Sequence, residues 1–163
     1  MECEYRLASI SDVDQLVRLR ALMQAEVRHF SSDEIGQEYL DRVRNYFLTS
    51  IPSKKYFSSV AVFKNHIIGT AGVCLYHKPP NISGGTGLIG YVTNVFVETE
   101  FRKKGIGAKM MSELNKLACE LKVDKLHLGA TSDGLSIYRS VGYVEPHFVN
   151  LEIKFPIRNF DES

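Results

Sequence analysis

Apolar positions recur along this chain in two rhythms, and the switches between them mark out its elements. Glu4–Ala8 reads as a strand. Val13, Leu16, Val17, Leu22 and Met23 then recur at helical spacing, after Ser9 or Ser11, either of which suits the helix cap. Ser31 and Glu34 have the spacing of a capping box for a second helix, which turns Ile35, Tyr39, Leu40, Val43 and Phe47 inward and closes at Pro52 and Ser53. Tyr56–Phe63 and Ile67–Tyr76 are β-rich, and Lys64-Asn65-His66 between them predicts a hairpin turn. His77–Thr86, with Pro79, Pro80, Gly84 and Gly85, is a loop. Gly87–Val97 is apolar and β-branched enough to be a buried strand. Ile106, Met110, Met111, Leu114, Leu117, Ala118 and Leu121 return to the helical period. Lys125–Ala130 is strand-like and leads to a short helix around Tyr138. Val149, Leu151, Ile153 and Phe155 alternate, which predicts a half-exposed last strand, with Ile157–Ser163 as a fraying tail. The order is β-α-α-β-β-β-α-β-α-β in one domain spanning residues 1–163, an α/β (α+β) fold.

The chemistry concentrates where the buried strand hands over to the long helix. Arg102-Lys-Lys-Gly-Ile-Gly107 forms that junction. The first amides of a helix have no intrahelical acceptor, and the helix dipole adds partial positive charge there. Glycines let a ligand come close to that backbone, and Arg102, Lys103 and Lys104 add cations at the same end. Such a turn suits a phosphate or pyrophosphate. A P-loop would need Gly-x4-Gly-Lys-Ser/Thr, and no such run is present. A dinucleotide fingerprint would need a third glycine where Met110 stands. The pattern that fits is Arg/Gln-x-x-Gly-x-Gly/Ala, matched by Arg102, Gly105 and Gly107. A second segment, Thr131-Ser-Asp-Gly-Leu-Ser-Ile-Tyr138-Arg-Ser-Val-Gly142-Tyr143, ends in Tyr-x-x-x-Gly-Tyr.

These two motifs, in this order and at this spacing, resemble the GNAT superfamily of acetyl-CoA-dependent N-acetyltransferases. The resemblance covers most of the chain and is strongest from Gly87 to Tyr143. It implies a mixed, mostly antiparallel sheet flanked by helices and splayed at its centre, between the strands ending at Val97 and Ala130. Acetyl-CoA would lie in that split as an added strand, on the backbone of Val95 and Val97. Its phosphates would meet Arg102, Lys103, Lys104 and the backbone of Gly105, Ile106, Gly107 and Ala108. Thr131 or Ser132 would supply a further polar contact where many relatives have asparagine. An N–H near Val95 or Phe96 would stabilise the oxyanion. Tyr138 would protonate the departing thiolate, a task its ordinary pKa of about 10 suits. Asn94 is the candidate for positioning the acceptor. The general base stays open among Glu26, Glu34, Glu38, Tyr91, Thr93, His127 and a water relay.

Composition narrows the partners. A formal charge of +1, with no cationic block beyond Arg102–Lys104, gives no footprint for nucleic acid. No apolar run could span a bilayer, and the N-terminus has no signal-peptide pattern. Three cysteines, Cys3, Cys74 and Cys119, far apart in sequence, suit neither a disulfide framework nor a metal site. A reduced cytoplasmic protein without a metal follows, and a homodimer is compatible with it. The expected reaction is acetyl transfer from acetyl-CoA to a primary amine, by direct attack through a tetrahedral intermediate, with a small-molecule acceptor. The alternative is a CoA-binding sensor without catalysis, which would have no use for an acid at Tyr138. A nucleotide hydrolase is disfavoured by the missing Lys-Ser/Thr and metal-carboxylate patterns.

Overall fold

The computed structural model describes residues 2–29, 31–80, 82 and 85–155. Five strands, β1 (Glu4–Leu7), β2 (Tyr56–Phe63), β3 (His66–His77), β4 (Leu88–Val97) and β5 (Lys125–His127), form one sheet in sequence order. Neighbours from β1 to β4 are antiparallel, and β5 runs parallel to β4. Helices α1 (Val13–Arg28) and α2 (Gln37–Ser50) cover one face. Helices α3 (Ile106–Glu120) and α4 (Leu135–Ser140) cover the other. Each face has its own core. Leu16, Leu19, Phe47, Tyr56, Val60 and Ile67 fill the α1–α2 side. Ile68, Ala71, Val73, Met110, Met111 and Leu114 fill the α3 side. The predicted mixed sheet flanked by helices is the fold observed.

Local chemistry explains most boundaries. Ser9 opens a 3-10 turn that runs into α1, and its N–H donates to Asp12 Oδ2 at 2.7 Å. Lys64 and Asn65 both have positive φ, 47° and 62°, as a two-residue hairpin turn needs. Ser31 and Glu34 do meet, with Ser31 N–H on Glu34 Oε1 at 3.2 Å, but they close a separate 3-10 turn. Helix α2 starts only at Gln37, behind Gly36.

Asp12 ties the start of α1 to β1. It is buried and accepts from Arg6 Nη1 at 2.7 Å and Nη2 at 2.9 Å. The Arg6 guanidinium lowers its pKa to about 2, against the cost of burial. A carboxyl group depressed in this way stabilises the fold fully above its unfolded pKa of about 3.9 and loses that contribution as pH falls toward 2. Asp12→Asn should therefore lower stability near neutral pH by about 1–2 kcal/mol and flatten the loss between pH 4 and 2. Thermal melts across that range check it.

Two strand expectations need correction. Lys125–Ala130 pairs only from Lys125 to His127. Residues 149–155 form no strand, and Val149, Leu151, Ile153 and Phe155 are 76–91% exposed. Alternation gives a strand one apolar side, but pairing with a neighbour is what fixes it, and β5 pairs over only three residues. The tail expected to fray, Ile157–Ser163, lies outside the described residues.

Candidate active site

Strand β4 carries one residue more than β3 beside the sheet's centre. Gly72 opposes Thr93, whereas Thr70 opposes Phe96. The bulge sits at Asn94, whose φ is 54°. It reverses which residues face which helices. Val92 packs with the α3 cluster, and Phe96, on the same alternation, packs with the α1 cluster. Val95 and Val97 are half-buried against the α3 side.

The β4–β5 pairing ends at Tyr91 opposite His127, while β4 continues to Val97. The splay expected from the sequence is this divergence. Along it the edge of β4 from Val92 to Val97 has no strand partner on the β5 side among the described residues. Such an edge can take an extended ligand through main-chain bonds.

Beyond Val97 the chain makes a 3-10 turn at Thr99–Phe101 and then the glycine turn. Lys103 and Gly105 are both left-handed, at φ 60° and 76°. Gly105 is the residue that takes this conformation without strain. The first bond of α3 runs from Lys109 N–H to Gly105 O at 3.0 Å, so the amides of Ile106, Gly107 and Ala108 have no acceptor in the helix. Among the described residues no side chain caps this end. A Cβ built on Gly107 would lie 3.5 Å from Ile137 Cδ1 and 4.0 Å from Val97 Cγ2, ordinary contacts. The protein's own packing therefore does not require a glycine at 107. Free amides, an exposed Gly105 with open space around it and exposed Lys103 fit a phosphate-bearing ligand.

Arg102 is engaged elsewhere. Its Nε donates to Val97 O at 2.8 Å, and its fork meets Glu26 at 2.9 and 2.6 Å. The guanidinium also stacks 5.3 Å from the centre of the Phe96 ring. It fastens the turn to α1. Lys104 Nζ donates to Glu100 O at 3.0 Å, which leaves Lys103 as the cation with no polar partner among the described residues.

Across the split, Thr131 caps a 3-10 turn at Ser132–Gly134 that leads into α4. Both Thr131 and Ser132 are exposed there. Tyr138 is half-buried on α4 and packs on the same cluster as Val95 and Val97. Gly134 makes room for its ring, since a Cβ there would come within 2.9 Å of Cε2. Tyr138 also lines a cavity of about 270 Å³ with Leu128 and Ala130. Its neighbour Tyr143, at 6.0 Å between rings, donates to Asn115 Oδ1 at 3.0 Å. The Tyr138 hydroxyl has no such partner among the described residues. Burial, then nearby Tyr91, raises its pKa, so it keeps its proton at neutral pH.

The α1–α2 side of the bulge holds a polar network that sequence reasoning missed, apart from Asn94. Asn94 is buried, donates Nδ2 to Tyr56 Oη at 3.1 Å and accepts from Arg20 Nη1 at 2.6 Å. Its amide is thus occupied within the protein. Burial pushes the Tyr56 hydroxyl up to about 12. Tyr46 Oη lies 3.0 Å from Cys74 Sγ beside it. The acidic base candidates are similarly engaged. Glu26 holds Arg102, Glu34 the Ser31 amide and Glu38 Arg42. His127 shares a 2.8 Å hydrogen bond with Tyr76 Oη and packs 5.1 Å from the Tyr91 ring. Burial, then Lys125 and Lys78, lowers its pKa and keeps the imidazole neutral. A signal for Arg20 existed in the sequence: it interrupts the apolar stripe of α1 one turn after Leu16.

Comparison with known proteins agrees with this geometry. Residues 53–145 match the family described as the acetyltransferase (GNAT) domain. Glucosamine 6-phosphate N-acetyltransferase of Schizosaccharomyces pombe is 32% identical over 78 residues, which cover 48% of this chain and 68% of that one. A predicted acetyltransferase of Clostridium acetobutylicum, solved with acetyl-CoA, is 26% identical at a TM-score of 0.78, over 93% of this chain and 96% of that one. An aminoglycoside acetyltransferase from an uncultured soil metagenomic sample, solved with sisomicin, shares the fold at 18% identity and a TM-score of 0.70, over 94% and 97% of the two chains. This chain belongs to the GNAT acetyltransferase family and is an acetyl-CoA-dependent acyltransferase.

Proposed function

We propose that the protein transfers the acetyl group of acetyl-CoA to a primary amine of a small molecule by direct attack. One observation carries this reading: the unpaired edge of β4 leads into an uncapped helix N-terminus, and the partnerless Tyr138 hydroxyl packs on the same cluster. Acetyl-CoA supplies the activated acetyl thioester. The backbone of Val95 and Val97 holds its extended arm, and an amide beside Phe96 polarises the carbonyl. The amides of Gly105, Ile106, Gly107 and Ala108, with Lys103 and Lys104, hold the phosphates. Thr131 and Ser132 supply polar groups from the opposite wall. Arg102 acts on this site by holding the turn against Glu26. Tyr138 Oη keeps a proton ready for the leaving sulfur. Fixing both reactants on rigid strands turns a bimolecular encounter into an effectively unimolecular one.

The test has two parts. Acetyl-CoA and CoA should raise the melting temperature while ATP does so less, and a panel of small amines should release free thiol from acetyl-CoA. Thermal stabilisation without thiol release from any amine would end the catalytic reading.

The lysines give a further expected result. Lys103→Ala with Lys104→Ala should weaken acetyl-CoA binding about 10-fold at low ionic strength, with the gap closing as salt rises. Calorimetry at two salt concentrations checks it.

A further inference from the structure

Arg20 differs from the other half-buried arginines. Arg6, Arg18, Arg44 and Arg102 each face a carboxylate, of Asp12, Glu98, Asp14 and Glu26 in turn. Arg20 has no carboxylate partner among the described residues. Its contacts are neutral: Nη1 donates to Asn94 Oδ1 at 2.6 Å and Nε to Tyr39 Oη at 3.3 Å. Guanidinium has five donors in a fixed fork, and most of them stay available.

The network orients this group. Tyr56 is buried and holds Asn94, and Asn94 holds Arg20. Asn94 is also the bulge residue, directly before Val95 on the edge of β4. Arg20 therefore stands one side chain away from the strand on which acetyl transfer is proposed, on the α1–α2 face. The acidic groups of these helices do not offset its charge. Glu26, Glu38 and Asp14 are paired with Arg102, Arg42 and Arg44, and Asp41, exposed on α2, accepts from Gln37 Nε2 at 2.8 Å and forms no ion pair with Arg20. A half-buried cation without a counter-charge gives up hydration for little return, and a carboxylate or phosphate recovers that loss through charge-assisted bonds. A polycationic acceptor would meet repulsion at the same point.

We propose that Arg20 binds an anionic group on the acceptor, so that the favoured substrates are small primary amines that also carry a carboxylate or a phosphate. This rests on the acetyl-transfer reading above. Arg20 sets specificity and Asn94 is its positioning residue.

Matched acceptors test it through free-thiol release: 4-aminobutyrate against n-butylamine, glucosamine 6-phosphate against glucosamine, and spermidine as the polycation. The anionic member of at least one pair should have a kcat/KM about 10- to 150-fold higher, mainly through KM, and spermidine should be the poorest. The pair that shows the preference tells carboxylate from phosphate. Arg20→Gln should collapse that ratio toward one, and Arg20→Lys should restore part of it. Acetyl-CoA titration shows that each variant is folded. A wild type that turns over neutral amines as fast as anionic ones overturns the assignment and leaves acetyl transfer standing. So does an Arg20→Gln variant that slows both members of a pair equally, because the arginine would then serve only to hold the bulge. No thiol release from any amine, with acetyl-CoA still binding, overturns acetyl transfer and the Arg20 assignment with it.

Discussion

Tyr138→Phe should lower turnover by about 10²- to 10⁴-fold while acetyl-CoA affinity stays nearly constant. The substitution keeps the ring, and the ring is what the fold uses. It fits over Gly134 and packs edge-on against Tyr143. The hydroxyl bonds to nothing else among the described residues, so removing it leaves no buried partner unsatisfied. What is lost is a proton donor whose pKa is raised by burial and by Tyr91, and which is therefore protonated at working pH. Single-turnover kinetics with the best amine separates the chemical step from binding. Equal rates in the two proteins would remove Tyr138 from the reaction. Weaker binding with unchanged chemistry would make it a cofactor-positioning residue.

Gly107→Glu should weaken acetyl-CoA binding by about 100- to 1,000-fold and leave the fold in place. Its Cβ would point between Ile137 and Val97 with ordinary contacts, so the first carbon is tolerated. The rest of the side chain would bring a negative charge to a helix start whose free amides suit an anion. Gly107→Ala separates size from charge, and it should bind within a few-fold of wild type. Calorimetry on both variants, with melting curves as a check on folding, decides the matter. Full affinity in the glutamate variant would move the phosphates away from this turn.

The sequence made the element order and the glycine turn readable because both are written locally. Hydrophobic rhythm gave the helices and strands, and two short motifs marked the turn and Tyr138. What stayed hidden was written across distance. Glu26 and Arg102 are 76 positions apart, and Arg20 and Asn94 are 74 apart. No local pattern records either pairing, although Arg20 by itself shows as a break in the apolar stripe of α1. As a result Arg102 reads from sequence as a ligand for phosphate, while in the fold it grips α1. The last strand failed for the opposite reason. Its alternation is clear in the sequence from Val149 to Phe155, but among the described residues no strand pairs with it.

The extra residue at Asn94 has a consequence for how this strand can change over evolutionary time. Its inward-facing positions are written in one phase up to Val92 and in the opposite phase from Val95 onward. A point substitution alters one letter of that code. A single-residue deletion at the bulge would restore plain alternation and leave Val95, Phe96 and Val97 on their present sides, but it would take Asn94 and its hold on Arg20 with it. A loss of length at this point thus spares the two cores and falls on the polar network. The junction between the two phases lies beside the stretch of β4 that β5 leaves unpaired, and it carries the hold on Arg20.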